Sequence, residues 1–549
     1  MDRPADRAPR VSAAETVTEL LADWTRQTHR ELSAVTEIDA GGSGGVLVSA
    51  YVRELDPGRQ GGRMIIKVLG PSEETVGEPG QHKAALIART EGNKDFVDQH
   101  LVGLGPEPHK VDGTWVMFQL PAGDEDAVTL AGVDRRRLPH LAARIVAGVL
   151  AGWNPEDPQV VERTAAEFVA DILDRRLDPE GPLLGWVRGR LLARPAEPPW
   201  VSLPGGDRPV PNPLNLGAGS DLARYQLDVP QRGRAHGDLH PGNIMVPRQP
   251  AAGDDDFVLI DLSRFAPDAL LARDPAHLLL CLVAGYLPHL DDEARAELIP
   301  GLLRAPCDGT LVPQGLAALV ATVHAAWLDW GVRHRIQRDW RRQWYLAVQG
   351  CALMFLGRKG YSDRDRWWFF QLAAEACGAY LDEMGVRRPH DAPLVALDPA
   401  VEPVPVAPAA PVAPATAPPP PDRPAGDPDP LLGLLQKIEQ TYETPMRQLT
   451  AADPALIPLE SAMAIRLHAL TFRTELRAAS AANYHALDVR PVRDALRVVA
   501  MEAQVTEAML ARGETFRSGP VLRDLVSALD DLLDAVAAAR RDLLTPAHP

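Results

Sequence analysis

RAHGDLHPGNIMVPRQPAAGDDDFVLIDLSRF, running from Arg234 to Phe265, is the stretch whose reading decides the fold. Asp238 lies two residues after His236, and Asn243 lies five residues after Asp238. An apolar, β-rich run from Phe257 to Leu262 then delivers Asp261, 18 residues beyond Asn243. Two acids and an amide therefore arrive on two short loops flanked by strands. Phosphoryl transfer from ATP calls for this set. One carboxylate orients or deprotonates the attacking hydroxyl, while an amide and a second carboxylate offer hard oxygen donors to Mg²⁺. An Asx turn at Asp238 and an ordinary hairpin ending at Asp261 would explain a lone HGD. They explain the whole compound pattern poorly.

The spacing resembles the catalytic loop and metal-binding Asp of the protein-kinase-like superfamily, in its aminoglycoside phosphotransferase and choline kinase branch. That branch writes HGDLxxxN where protein kinases write HRDxxxxN. The resemblance implies an α+β, bilobal, kinase-like fold. Asp238 is then the candidate catalytic residue, and Asn243 and Asp261 are the candidate metal ligands. His236 reads as a hydrogen-bonding support of the loop and His240 as structural. Asp254, Asp255 and Asp256 read as a solvated hairpin tip. Asp274 either caps the helix that follows or braces the catalytic loop.

Upstream, the strand Val35 to Asp39 leads into a glycine-rich turn, Gly41, Gly42, Ser43, Gly44 and Gly45, and a second strand, VLVSAYVREL. Such a turn lets backbone amides approach phosphates, although no GK[ST] closes it as a Walker A. RMIIKVL then sets Lys67 in a third strand. Only 6 of the 57 basic residues are Lys, so a Lys inside an apolar strand stands out. An ammonium there needs a partner, and nucleotide phosphates with an acid would supply one; a snorkelling edge-strand Lys is the alternative. The acid is Glu78 or Glu91, with Glu78 preferred; these flank a helix expected from Gln81 to Thr90. KVDGTWVMFQL, Lys110 to Leu120, predicts a hairpin turning at Asp112–Gly113. In the kinase-like reading Met117 to Leu120 occupies the hinge, with Gln119 and Leu120 beside the adenine.

Further phrases match a narrower family: LAGWNPEDP at Leu150 to Pro158, LDPEGPLLGW at Leu177 to Trp186, and PNPLNL at Pro211 to Leu216. With GGSGG and HGDLHPGNIMV they resemble the kinase-like "ternary complex associated" domain of bacterial conflict or signalling systems built around a MoxR-type ATPase and a von Willebrand A protein. That resemblance covers roughly residues 30–390.

Composition bounds the rest. The chain has 549 residues and a net charge of −17, which argues against a general affinity for nucleic acid or anionic membrane. Cys281, Cys307, Cys351 and Cys377 are too dispersed for a zinc site or disulfide framework and read as core residues in a reducing cytoplasm. The expected layout is an N-terminal tail and helix (1–29), an N-lobe (30–124), a largely helical C-lobe (125–395), a Pro/Ala-rich linker (396–430) and a helical bundle (431–549). The first helix is expected over Ala13 to Thr28, and residues 196–218 are expected as loop. Trp367, Trp368, Phe369 and Phe370 read as core. The linker favours polyproline II and would reach on the order of 100 Å if extended. The bundle carries no catalytic constellation and reads as a protein-interaction module.

The expected function is ATP-dependent phosphotransfer, with Mg²⁺, to a hydroxyl on a protein or small molecule. The alternative is a catalytically weak nucleotide-binding scaffold that recruits partners through residues 431–549. Lys67, Asp238, Asn243 and Asp261 together favour the enzyme, since a scaffold does not need all four. No residue points to transfer of AMP.

Overall fold

The computed structural model describes residues 13–38, 46–55, 61–70, 77–111, 114–123, 127–156, 159–160, 163–192, 194–203, 208–217, 219–227, 231–248, 256–304, 311–387, 394–397, 430–451, 459–481, 520–544, and a helical subset of 491–506. The glycine-rich turn Gly41 to Gly45, the turn Asp112–Gly113, Asp254, Asp255, Cys307 and nearly all of the proposed linker lie outside these residues. The fold mixes helix and sheet and ends in a helical region. Met1–Val76 with Arg89–Pro408 make one compact unit, and Gly77–Ala88 with Ala409–Pro549 make a second.

The first unit opens with α1 (Ala13–Leu20) and α2 (Ala22–Thr28). The single expected helix is divided at Leu21, yet Leu21 N–H donates to Val17 O and Thr25 N–H to Leu21 O, so the course is nearly continuous. Val17, Leu21 and Trp24 thereby share one buried face. That face covers an antiparallel sheet of β1 (Arg30–Ile38), β2 (Val46–Glu54), β3 (Gly62–Leu69), β4 (His109–Val111) and β5 (Thr114–Gln119), ordered β1-β2-β3-β5-β4. Strand β1 starts five residues before the expected Val35. It absorbs an irregularity between Ser33 and Thr36, where Ala34 takes φ 51°. Trp24 stacks on Phe118 with ring centroids 4.5 Å apart. The two-residue period of β3 sends Ile66 and Val68 into this core and turns Lys67 to the opposite face.

Helix α4 (Lys94–His100) leads from the sheet toward the segment that holds the acids. Val102 N–H donates to Leu259 O, and the His100 ring stacks on Phe257 at 4.1 Å. The helical body follows. Helix α5 (Leu138–Ala147) runs into a π turn (Gly148–Gly152) ending at Trp153, and α6 spans Ala165–Leu173. A Thr164–Glu167 capping box starts α6. Helix α7 spans Pro182–Arg190 and α8 spans Asp221–Arg224. The longer helices α9 (Arg273–Ala284), α10 (Asp292–Arg304), α11 (Gln314–Arg333), α12 (Gln337–Leu356) and α13 (Asp363–Glu383) complete it.

Helix α12 is the axis of this body. It is buried continuously from Gln343 to Leu356 and packs on α6, α9 and α13. Helix α11 is long and apolar enough to cross a membrane by length and composition. Here Leu316, Leu319, Val320, Val323 and Trp327 are buried, and the helix packs on α5. Trp368, Phe369 and Phe370 are core residues, with Trp367 half-buried. Cys281, Cys351 and Cys377 are free thiols, and burial pushes the Cys281 thiol up to about 11 and the Cys351 thiol up to about 12.

Residues 196–218 are more ordered than the expected loop. Trp200–Ser202 pairs antiparallel with Pro209–Pro211, and Leu394–Ala396 adds in parallel. The PNPLNL phrase closes this region. Asn212 Nδ2 donates to Pro195 O and Pro198 O, its Oδ1 accepts from Leu214 N–H, and Gln349 Nε2 donates to Pro213 O.

In the second unit, α3 spans Glu78–Ile87, three residues earlier than expected at each end. Pro79 is the physical reason. It has no N–H to lose at a helix start, and its fixed φ suits the first turn. The C-terminal helices Pro430–Ala451, Leu459–Ala481 and Pro520–Leu544 share a core with the helical residues Val492, Leu496, Val499 and Ala503. Leu435, Tyr442, Ile465, Phe472, Leu529 and Leu532 are among its buried residues. The periodicity expected for a bundle is present in each of these segments.

Candidate active site

The site is assembled from the loop that follows strand Gln231–Ala235 and the loop that follows strand Val258–Leu259. The first strand is fixed from the side by Asn154. Its Oδ1 accepts from Arg234 N–H at 2.7 Å, and its Nδ2 donates to Arg234 O and Val149 O. The side chain of Arg234 reaches back to Trp153 O and Glu156. The WN pair of the LAGWNPEDP phrase is therefore a clamp on the strand that carries His236 and Asp238.

Within the loop from His236 to Asn243 the polar groups hold one another in place. Asp274, 1% exposed, accepts from His236 N–H at 2.6 Å and from Gly237 N–H at 3.1 Å. Of its two expected roles, bracing the loop is the one the geometry shows. Burial raises its pKa, against the pull of neighbouring cations and the two backbone donors. His236 is fully buried. Its Nε2 donates to Ile260 O at 2.8 Å, and its Nδ1 accepts from Asp238 N–H at 3.3 Å, a pairing that fits the neutral ring protonated on Nε2. Gly237 sits at φ +77°, and an added Cβ would lie 2.2 Å from Arg264 O. Glycine is required there on both counts.

Asn243 closes a short turn, Pro241–Asn243. Its Nδ2 donates to Asp238 O at 3.1 Å, and its backbone O accepts from Ile260 N–H at 3.0 Å. The two loops are thus stitched together by His236–Ile260 and Asn243–Ile260. With Nδ2 committed, the Asn243 amide oxygen is the donor left for a ligand. His240 Nδ1 accepts from Gly242 N–H, and burial lowers the His240 pKa, which supports the structural role.

The strand expected from Phe257 to Leu262 pairs only over Val258–Leu259. Asp261 lies in the left-handed region at φ 57°, which ends the ladder and re-aims the side chain. Lys67 Nζ, on a side chain 4% exposed, lies 3.3 Å from Asp261 Oδ1. Burial acts to raise the Asp261 pKa, but Lys67 and a hydrogen bond from Ser263 hold it below the ordinary carboxylate value. Asp261 Oδ1 is buried and accepts no well-directed hydrogen bond, so the 3.3 Å contact is a charge pairing only. A buried carboxylate oxygen without a hydrogen bond on one loop and an uncommitted amide oxygen on the loop stitched to it are donor types that suit a hard divalent cation. No cluster of three or more His, Cys, Asp or Glu side chains fit for a metal occurs among the described residues. Two protein donors completed by phosphates is the usual Mg²⁺ arrangement.

Asp238 is 37% exposed and stands between two imidazoles, with His240 Nε2 and His277 Nδ1 each 3.9 Å from its carboxylate. Lys67, Asp238, Asn243 and Asp261 all belong to the first unit. Glu78 opens α3 in the second and is 3% exposed, whereas Glu91 follows the helix and is exposed. Gln119 is buried at the end of β5 opposite Ile65, and Leu120, 44% exposed, donates its N–H to Gly103 O. The glycine-turn residues Gly41, Gly42, Ser43, Gly44 and Gly45 lie outside the described residues. Sequence reasoning missed Gly237, Asn154 and His277 as site-forming residues. The glycine inside HGD and the WN phrase were visible signals for the first two.

No known family model matches the chain, and no curated protein does. Solved structures give distant similarities of fold. A thermostable mutant of the aminoglycoside phosphotransferase APH(4)-Ia, in ternary complex with ADP and hygromycin B, is 12% identical with a TM-score of 0.35, over 67% of this chain and 100% of that one. Plasmodium vivax ethanolamine kinase is 12% identical with a TM-score of 0.32, over 67% of this chain and 87% of that one. Amicoumacin kinase hAmiN, in complex with AMP-PNP, Ca²⁺ and Ami, is 11% identical with a TM-score of 0.29, over 62% of this chain and 87% of that one.

Proposed function

We propose that the chain is an ATP-dependent phosphotransferase that moves the γ-phosphoryl group to a hydroxyl acceptor. One observation carries the reading. Lys67, from the middle of a strand, is buried against Asp261 at 3.3 Å, while Asp261 keeps a buried oxygen without a hydrogen bond and Asn243 keeps an amide oxygen free on the other loop of the same stitched pair. A structural ion pair would satisfy its carboxylate. Here donor capacity is held open at the place where phosphates and a cation would complete it.

In this mechanism Lys67 would bind phosphate oxygens, and Asn243 and Asp261 would hold Mg²⁺, which would supply charge neutralisation at the phosphates. Asp238, partly exposed on a fixed loop, accepts the acceptor hydroxyl's proton. The hydroxyl oxygen forms its bond to the γ-phosphorus as the bond to the β-phosphate oxygen breaks, and ADP leaves. Gly41 to Gly45 are the proposed cover for the nucleotide. Gln119 and Leu120 are the proposed adenine contacts. The acceptor is a protein or a small molecule. We place the activity in the cytoplasm, in a conflict-type signalling system, with the C-terminal helices as the partner-binding module; the phrase-level resemblance supports that context.

Titration calorimetry of ATP with and without Mg²⁺ tests the site. Tight binding should require Mg²⁺, and Asp261→Asn should abolish the Mg²⁺ dependence. Lys67→Met should weaken binding in both conditions. Equal affinity of wild type and Asp261→Asn in Mg²⁺ would contradict the assignment.

A further inference from the structure

Asp238 faces a wall of cations that the transfer mechanism does not use. Arg358, just beyond α12, donates from Nη2 to His277 Nε2 at 2.7 Å and reaches Cys281 Sγ with Nη1 at 3.6 Å. His277 is fully buried, and burial, with Arg358 beside it, holds its pKa well below the ordinary imidazole value. The neutral ring accepts on Nε2, so its proton lies on Nδ1. That Nδ1 is buried without a hydrogen-bond partner and stops 3.9 Å from Asp238 Oδ1, beyond hydrogen-bond reach. Arg273, at the start of α9, has a buried Nε without a partner and forms no ion pair among the described residues. Arg176, from the turn Asp174–Leu177, also forms none among the described residues.

Burial lowers the Arg176 pKa to about 10, and repulsion from Arg273, Arg358 and Arg264 adds to it while Asp238 opposes. Guanidiniums that crowd one another at a half-buried place are short of counter-charge. Asp261 has Lys67 as its cation, Arg273 acts on the buried Asp274, and Arg176 and Arg358 are the two that feel the charge of Asp238.

Building on the phosphotransferase reading, we propose that the acceptor carries an anionic group, a phosphate or carboxylate near its hydroxyl, held by Arg176, Arg273 and Arg358 with the His277 Nδ1–H beside Asp238. Planar guanidinium forks suit both anions. The same wall repels aminated acceptors such as amino alcohols and amino sugars.

The test uses the full chain with AMP-PNP and Mg²⁺ present to fill the nucleotide site, and inorganic phosphate as probe. Phosphate should still bind and should raise the melting temperature. Arg176→Met and Arg273→Met should each weaken phosphate at least tenfold, with AMP-PNP binding measured alongside to confirm the fold. Without ligand, Arg176→Met should melt no lower than wild type, because it relieves repulsion; a structural arginine would cost stability. Phosphate affinity unchanged in both variants, or abolished by AMP-PNP, overturns the proposal. Transfer of label from γ-labelled ATP is then compared on sugar phosphates and hydroxy acids, on neutral polyols, and on amino alcohols. Label on the anionic set supports the proposal. Label on neutral or cationic acceptors without phosphate binding overturns it and leaves the phosphotransferase standing. Phosphate bound at the arginines with no label on any acceptor counts against phosphotransfer and leaves the anion site standing.

Discussion

Two aspartates, 13 residues apart, show how differently one fold treats the same side chain. Asp274 is surrounded by donors that it satisfies, the N–H groups of His236 and Gly237. Asp261 is held by a cation but keeps a buried oxygen with no hydrogen bond. The first carboxylate is part of the frame. The second keeps its bonding capacity for something not yet bound. Asp238 completes the contrast, with two imidazoles just out of hydrogen-bond reach. In this pair the satisfied carboxylate belongs to the frame, and the unsatisfied one lies where a ligand is proposed to arrive.

The comparison predicts unequal costs. Removing the frame carboxylate leaves two buried backbone donors without acceptors, so Asp274→Ala should cost about 3 kcal/mol of stability, read by denaturant unfolding. Asp274→Asn should cost less, because its amide oxygen still accepts. Equal stability of Asp274→Ala and wild type would break the contrast.

Lys67→Met should act mainly on function, lowering phosphotransfer by on the order of 10²-fold in a steady-state assay. Its effect on stability should depend on pH. Lys67 holds the Asp261 pKa below its unfolded value, so the pair's contribution is full above the ordinary carboxylate range and is lost as pH falls through the folded pKa. The stability gap between wild type and Lys67→Met should therefore widen as pH rises from about 3 to about 6. A gap that narrows over that range would contradict the pairing. The smallest effect belongs to Glu91. It is exposed and outside α3, so Glu91→Gln should leave nucleotide affinity and unfolding midpoint unchanged.

The parts of this arrangement that were legible in the sequence are the local ones. Lys67 stood out because a charged residue interrupts an apolar strand, and Asp238, Asn243 and Asp261 stood out by spacing along one segment. The sheet strands and the C-terminal helices followed from periodicity. What stayed hidden depends on distant chain. Asn154 acts on Arg234 from 80 residues away, and Arg358 acts on His277 from 81. No local pattern encodes those meetings, nor the left-handed turn that ends the Asp261 strand early. The early start of α3 was legible in Pro79 and was overlooked because the apolar period begins later.

The most direct test is transfer of label from ATP carrying it at the γ or the α position, with Mg²⁺ and a mixed pool of acceptors, in wild type and Asp238→Asn. The account predicts label from γ-ATP only, falling by about 10³-fold in Asp238→Asn while ATP binding persists. Label from α-ATP, or γ-label transfer that survives Asp238→Asn at the wild-type rate, would contradict it.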